Sequence, residues 1–322
     1  GARSALFSPI PNLGLIIVDE EQDSAYKQHE DSFCYHARDC AVMLGKLSSC
    51  PVVLGSATPS LESFENAQSG KYTLSKLSAR PTAMQLPKVH IIDMKREFEK
   101  AKGYTAFSES LIDGIKKRVE AGEQTILFLN RRGYHTSLRC QACGYIFKCP
   151  HCDVSLTFHR AKNTLACHLC DFSTNSFKHC TQCKKETDMQ FKGVGTEQIE
   201  RALKAVIPEA RTLRIDGDTT NPTGSHDRLF RQFSTQKADV LIGTQMIAKG
   251  LHFPGVTLVA ILNSDSGLNI PDFRASEQIY QLIVQVAGRA GRGELAGEVM
   301  IQTHLPENST IRLASEQNFE SF

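Results

Sequence analysis

Eight of the eleven cysteines fall between Cys140 and Cys183, as the pairs Cys140/Cys143, Cys149/Cys152, Cys167/Cys170 and Cys180/Cys183. Two residues between thiols let both sulfurs of one turn face a single ion, and two such turns complete a tetrahedron. The chemistry this spacing offers is soft-metal ligation, so it predicts two closed four-cysteine zinc sites that are structural, not catalytic. A disulfide framework would be out of place in 322 residues with no visible secretory signal. Four pairs can combine in three ways. The fourteen residues from Asp153 to Ala166 suit the hairpin of a zinc ribbon, which joins Cys149/Cys152 to Cys167/Cys170. Cys140/Cys143 are then left with Cys180/Cys183, wrapped outside. His151, His168 and His179 sit beside ligands, but each site already has four thiolates, so they read as exposed knuckle residues. Cys34, Cys40 and Cys50 lack metal spacing and read as small hydrophobes.

A second chemistry lies upstream. The apolar run Leu15–Val18 ends in Asp19-Glu20-Glu21-Gln22. A strand that delivers carboxylates to its C-terminal edge is how many nucleoside triphosphatases hold Mg2+ and aim a water. In that reading Asp19 binds the metal through its waters and Glu20 accepts a proton from the attacking water. The competing reading is the acidic first turn of a helix, which the helix dipole favours. Tyr26, Phe33, Tyr35 and His36 follow among polar residues. Loop aromatics either stack on bases or pack beneath the loop as a minor core. Gly55-Ser56-Ala57-Thr58-Pro59-Ser60 allows close approach to a phosphate or another lobe, or is simply a loop with an N-cap at Ser60. Asn130-Arg131-Arg132-Gly133-Tyr134 is a basic turn suited to a phosphate backbone or a nucleotide.

These groups need elements to carry them. Apolar runs predict strands at Leu15–Val18 (buried), Pro51–Leu54, Tyr72–Leu77, Val89–Asp93, Thr125–Leu129, Arg211–Ile215, Ala238–Ile242, Val256–Leu262 and Glu298–Gln302. Helical periodicity predicts helices over His36–Leu47, Leu61–Gln68, Ser108–Ala121, Thr196–Val206, Gly224–Phe233 and Ser276–Ala287, with another opening at Ser309. Strands alternating with helices predict an α/β fold with a parallel sheet covered on both faces. Prolines in Arg80–Lys88 and the charged run Lys95–Gly103 predict a lobe boundary.

Composition narrows the class. Apolar content of 41% supports real cores. A net charge of +2 leaves any polyanion contact to local basic patches, not a global field. No apolar run approaches the ~20 residues that span a bilayer, so no membrane partner is expected. Metal-binding thiolates favour a reducing cytosol.

Gln285, Gly288, Arg289, Gly291 and Arg292 resemble the Q-x-x-G-R-x-G-R motif of superfamily-two helicases, and other motifs fall in the order that superfamily requires. Asp19–Gln22 is similar to the DEAH box, Ser56-Ala57-Thr58 to the motif linking hydrolysis to strand movement, and Gly243–Gly250 to the motif lining the DNA path and the cleft. With Arg3–Phe7, Leu129–Tyr134, Gly195–Gln198, Asp216–Thr220 and the cysteine block, essentially the whole chain resembles the PriA family of primosomal proteins.

The resemblance implies two RecA-like helicase lobes, the first incomplete, with a small zinc-binding insertion in the second. The expected domains are 1–95 (first lobe), 104–137 and 191–305 (second lobe), 138–190 (zinc insertion) and 306–322 (start of a truncated further domain). It implies a bacterial, cytoplasmic, nucleoid-associated helicase moving 3′ to 5′ on single-stranded and forked DNA. ATP and Mg2+ would act there beside two zinc ions. Implied partners are the single-stranded-DNA-binding protein, primosome components and the replicative helicase or its loader. Asp19, Glu20, Arg289 and Arg292 would be catalytic. Gly250 and Gln285 would join them around the nucleotide. Gln22, Tyr26, Phe33, Tyr35, Ser56, Thr58, Arg131, Arg132 and Thr244 would couple DNA to hydrolysis. The family's nested zinc pairing agrees with the pairing that loop length favours. Three departures stand out: Gln22 replaces the usual His, no G-x-x-x-x-G-K-[ST] phosphate loop occurs, and the C-terminal end looks short of the family's last domain. The chain therefore reads as part of a longer protein, with that loop expected upstream of Gly1 and hydrolysis not expected of these residues alone. The alternative is a scaffold, in which the zinc module recruits replication proteins without motor activity.

Overall fold

The computed structural model describes the chain outside residues 1–2, 29–32, 78–86, 131–137, 139, 141, 160–163, 168, 176–178, 186–194, 217–224, 248–252, 269, 271 and 292–294, and outside the side chains of residues 225, 226 and 245. The chain divides into two units, Gly1–Ala79 and Arg80–Phe322.

In the first unit β1 (Ile16–Asp19), α1 (Ala37–Leu47), β2 (Val52–Gly55) and α2 (Leu61–Gln68) follow in order. β1 and β2 pair in parallel, placing Asp19 opposite Gly55. The Ser60 hydroxyl caps α2 by accepting from the Ser63 N–H, as its position after a small-residue turn suggests. The expected burial of β1 is corrected. Val18 is its buried member, whereas Ile17 is 65% exposed, because the described sheet has only two strands and covers one face. Tyr72–Leu77, expected as a strand, has no sheet partner among the described residues; the Tyr72 N–H donates to Asn66 O at the end of α2 instead.

The second unit opens with β3 (Lys88–Asp93), α3 (Met94–Lys100), α4 (Glu109–Ala121) and β4 (Gln124–Leu129). The cysteine block carries the short strands β5 (Thr157–His159), β6 (Thr164–Ala166) and β7 (Ser173–Asn175). Then come α5 (Thr196–Val206), β8 (Thr212–Ile215), α6 (Ser225–Ser234), β9 (Val240–Gly243), β10 (Val256–Leu262), α7 (Ala275–Ala287), β11 (Glu298–Thr303) and α8 (Ser309–Ser315). Six strands form one sheet in the order β3-β11-β10-β4-β9-β8, with every pairing parallel. β4 and β10 are buried along their whole length, which explains why they read as continuous apolar runs without alternation. Leu111 and Ile115 of α4 and Ile199 and Leu203 of α5 pack on one face. Phe230 and Phe233 of α6, Ile279 and Ile283 of α7 and Ile311 of α8 pack on the other.

Two boundary expectations give way here. The sequence places Lys88–Asp93 in the first lobe, yet β3 pairs with β11 at the edge of the second unit's sheet. The charged run after it is not a linker but the helix α3, started by the Asp93 side chain accepting from the Lys95 N–H. Residues 306–322 are expected to open another domain. Instead Ile311 and Ala314 of α8 enter the second unit's core, and Phe322 stacks on Tyr280 of α7 at 4.4 Å.

Candidate functional site

The cysteines gather as the spacing predicts. Cys140, Cys143, Cys180 and Cys183 form one cluster and Cys149, Cys152, Cys167 and Cys170 another, with the sulfurs of each within 4.8 Å of one another. Cys140–Cys183 and Cys143–Cys180 sulfurs lie 3.7 Å apart, and Cys149–Cys170 sulfurs 3.5 Å apart. A Zn–S bond of about 2.3 Å places tetrahedral sulfurs about 3.8 Å apart, so both clusters fit zinc without rearrangement. The strands β5, β6 and β7 make an antiparallel sheet, and β5–β6 is the ribbon hairpin between the second cluster's two turns.

One local device builds all four turns. The first cysteine of each pair accepts, at its carbonyl, an N–H four residues on: from Gly144, Asp153, Asp171 and Lys184. Those four donors all have positive φ, of 78°, 54°, 58° and 59°. Gly and Asp tolerate the left-handed region, so at three of the four turns the residue after the second cysteine is a readable signal that Cys-x-x-Cys counting passes over, whereas Lys184 adopts the same conformation without announcing it. Burial pushes the Cys143 thiol well up. The hydrogen bond with Cys170 pushes Cys152 up to about 12. Cys167 is drawn down to about 7, chiefly by the Leu169 N–H. Metal binding must displace these protons, so acid opposes it.

At the end of β1 the acidic residues divide into two roles. Asp19 is exposed, and its Oδ1 accepts the Glu20 N–H at 3.0 Å. Glu20 has φ of 50°, an uncommon conformation for its type that sets it apart from the strand. Gln22 Nε2 donates to Glu20 Oε2 at 2.7 Å, fixing the carboxylate that the sequence nominates as base. The Tyr26 hydroxyl donates to Asp19 O at 2.7 Å. Burial, then Asp23, Asp19 and Glu20, hold the Tyr26 phenol above its usual range. Tyr26 thus belongs to the acidic turn itself. Phe33 is 70% exposed, and Tyr35 packs edge-on to Phe7 with ring centroids 5.0 Å apart. Arg3 ties the start of this loop by donating to Ala25 O and Lys27 O.

The residue that sequence reasoning misses is Glu21. Its carboxylate is buried and accepts from Ser60 N (2.6 Å), Ser63 Oγ (2.9 Å) and Arg38 Nη1 (3.0 Å). Through Glu21 the acidic turn is locked to the Ser56–Ser60 loop, where Ser56 Oγ accepts from the Thr58 N–H and Thr58 is buried. Arg38 is itself largely buried. Glu21→Ala would leave its guanidinium with the exposed Asp39 carboxylate at Nε (2.8 Å) and with Ser60 Oγ, but without its buried carboxylate partner, at a cost of about 1–3 kcal/mol. Urea unfolding combined with proteolysis should show early loss of residues 1–79, with the second unit unaffected.

In the second unit Gly243 ends β9 so close to Ile215 O that a Cβ there would lie 2.6 Å from it. Thr244 comes next and is partly exposed. Buried Asp216 accepts from Thr196 Oγ1 and pairs with Arg214 Nε at 3.2 Å. Gln285 is partly exposed on α7, while Arg289 just beyond it is buried. Arg131, Arg132, Gly250 and Arg292 lie outside the described residues.

Residues 149–174 match the PriA DNA helicase Cys-rich region domain, and residues 177–294 match the helicase conserved C-terminal domain. The chain is 57% identical over 323 residues to the replication restart protein PriA of Chlamydia pneumoniae, covering 100% of this chain and 43% of that protein. It is 47% identical over 322 residues to the replication restart protein PriA of Bacillus subtilis (strain 168), covering 100% and 40%. To that of Haemophilus influenzae it is 44% identical over 325 residues, covering 100% and 43%. The chain thus spans about two fifths of the length of these relatives. With both cysteine clusters formed and the similarity unbroken from end to end, the chain belongs to the PriA replication restart family.

Proposed function

We propose that these residues are the working part of an ATP-dependent DNA helicase that moves 3′ to 5′, recognises stalled forks and starts primosome assembly for replication restart. The observation that carries the reading is the acidic turn after β1. Glu21 braces the neighbouring Ser56–Ser60 loop, while Asp19 stays exposed and Glu20 is held by Gln22, so the structural carboxylate is separated from two that remain available for chemistry. The similarity to proteins named for replication restart supports the biological setting.

Asp19, exposed, and Glu20, held by Gln22, offer carboxylates that suit a metal–nucleotide complex. Asp19 would meet Mg2+ through its waters, and Glu20 would take the proton of the attacking water. Mg2+ would neutralise charge on the transferring phosphoryl group. Arg289 and Arg292 would supply guanidinium groups to the same charge, with Gln285 and Gly250 beside the nucleotide. Arg131, Arg132 and Thr244 would hold the DNA backbone. Phe33 and Tyr35 would stack on bases, and Tyr26 would pass their displacement to Asp19 through its hydroxyl. The single-stranded-DNA-binding protein, primosome components and the replicative helicase or its loader are the proposed partners, in the bacterial cytoplasm at the nucleoid.

The test is strand displacement from forked DNA by a chain that includes a G-x-x-x-x-G-K-[ST] phosphate loop, a sequence these 322 residues lack. Unwinding that requires ATP and a 3′ single-stranded tail is expected. Hydrolysis indifferent to DNA would refute the proposal.

A further inference from the structure

The two cysteine clusters are seated differently. The second is surrounded by the insertion's own residues: Leu138, Phe147, Leu156, Phe158 and Leu165 form its core, and Cys170 is exposed. The first leans on the body of the second unit. Phe98 of α3 packs against Cys140 and Cys180, and Lys185 Nζ sits 5.9 Å from the Phe98 ring centroid. On another side Gly144, with φ of 78°, lies against His304, just past the end of β11. A Cβ on Gly144 would stand 2.5 Å from the His304 Cβ and 3.1 Å from its Cγ, so the contact admits no side chain.

His304 is in turn fixed by buried Asp265, from the segment between β10 and α7. Asp265 Oδ2 accepts the His304 N–H at 2.9 Å and lies 3.3 Å from Nδ1, while Oδ1 accepts from Thr303 Oγ1. The same segment reaches β4. Ser266 Oγ donates at 2.9 Å to the carbonyl of Asn130, the residue that leads into Arg131 and Arg132. A continuous set of contacts therefore runs from the first cluster, through Gly144, His304 and Asp265, to the end of the strand that carries the basic turn.

We propose that the first cluster is a joint between the zinc insertion and the helicase lobe. His304 is its seat and Asp265 the positioning residue, so that metal in this cluster, and not in the second, is coupled to the end of β4 at Asn130 and through it to the affinity for single-stranded DNA. The DNA half of this inference rests on the function proposed above; the seat does not.

The 322-residue chain loaded with two zinc ions tests both halves. Zinc release to a chromogenic chelator is followed together with the affinity for a fluorescent single-stranded oligonucleotide. His304→Ala and Asp265→Asn should each weaken one zinc equivalent about 10- to 100-fold and leave the other at its wild-type rate, as loss of an outer-shell support does. Oligonucleotide affinity should fall about fivefold, in step with that equivalent. His304→Phe keeps a flat ring beneath Gly144 and should retain the zinc. Wild-type release in every variant, or equal acceleration of both equivalents, overturns the seat. An affinity that follows only the other equivalent overturns the coupling. Failure of the two-zinc wild type to bind any oligonucleotide overturns the DNA half; the release data still decide the seat, and strand displacement by the chain with the phosphate loop still decides the motor reading.

Discussion

Stripping both zinc ions with a strong chelator is expected to unfold the insertion from Leu138 to Lys185 and to spare the six-stranded sheet. Among its described residues the insertion buries six large apolar side chains, Leu138, Ile146, Phe147, Leu156, Phe158 and Leu165, and its strands are three residues long. So small a core cannot hold that length of chain by burial alone. Structural zinc supplies about 10–16 kcal/mol per site at neutral pH, which makes binding and folding one event here. Limited proteolysis with amide hydrogen exchange should show cleavage and fast exchange confined to the insertion and to the His304 contact. Readdition of zinc should restore protection. Lowering the pH should act in the same direction as the chelator, because protons return to the thiolates. Protection of 138–185 that survives complete metal removal would contradict this account.

Replacing Glu20 with Gln should lower ATP turnover roughly 10²- to 10⁴-fold in a chain that carries the phosphate loop, the range expected when a general base is lost. Gln is nearly isosteric and can still pair with Gln22, so the turn and its Glu21 anchor should keep their shape. Binding of single-stranded DNA should therefore be unchanged, and the loss should fall on kcat, not on KM. Asp19→Asn offers a contrast: a weakened metal site should be partly rescued by higher Mg2+, whereas Glu20→Gln should not respond. Turnover within a few-fold of wild type for Glu20→Gln would remove Glu20 from the base role and move attention to Asp19.

Much of this is legible in the residues, and the exceptions share a cause. Cys-x-x-Cys turns are local, and loop length alone selects the nested pairing that the sulfurs show. Continuous apolar runs announce β4 and β10, because a parallel strand covered on both faces has no polar side to alternate with. Partnerships across the chain are not legible. Glu21 reaches Ser60 and Ser63 from 39 and 42 residues away, and nothing near Glu21 signals that it turns inward while Asp19 stays in solvent. The strand at Lys88–Asp93 is recognisable, but its own residues do not say which sheet it joins. Tyr72–Leu77 has a strand's composition without a partner edge among the described residues, and composition alone makes no ladder. The aromatic loop reads as one functional class. Its members differ because only Tyr26 carries a hydroxyl placed to reach the Asp19 carbonyl.

The placement of β3 bears on how the protein can be divided. Its six residues, Lys88 to Asp93, cover the flank of β11. A shortened chain beginning at the cap of α4 would strip that cover and leave β11's backbone groups open along one side. Apolar strands bared in this way invite pairing between molecules and precipitation. A separately produced second lobe must therefore begin ahead of Lys88, although the stretch that looks most like a severable linker by its charges lies after it.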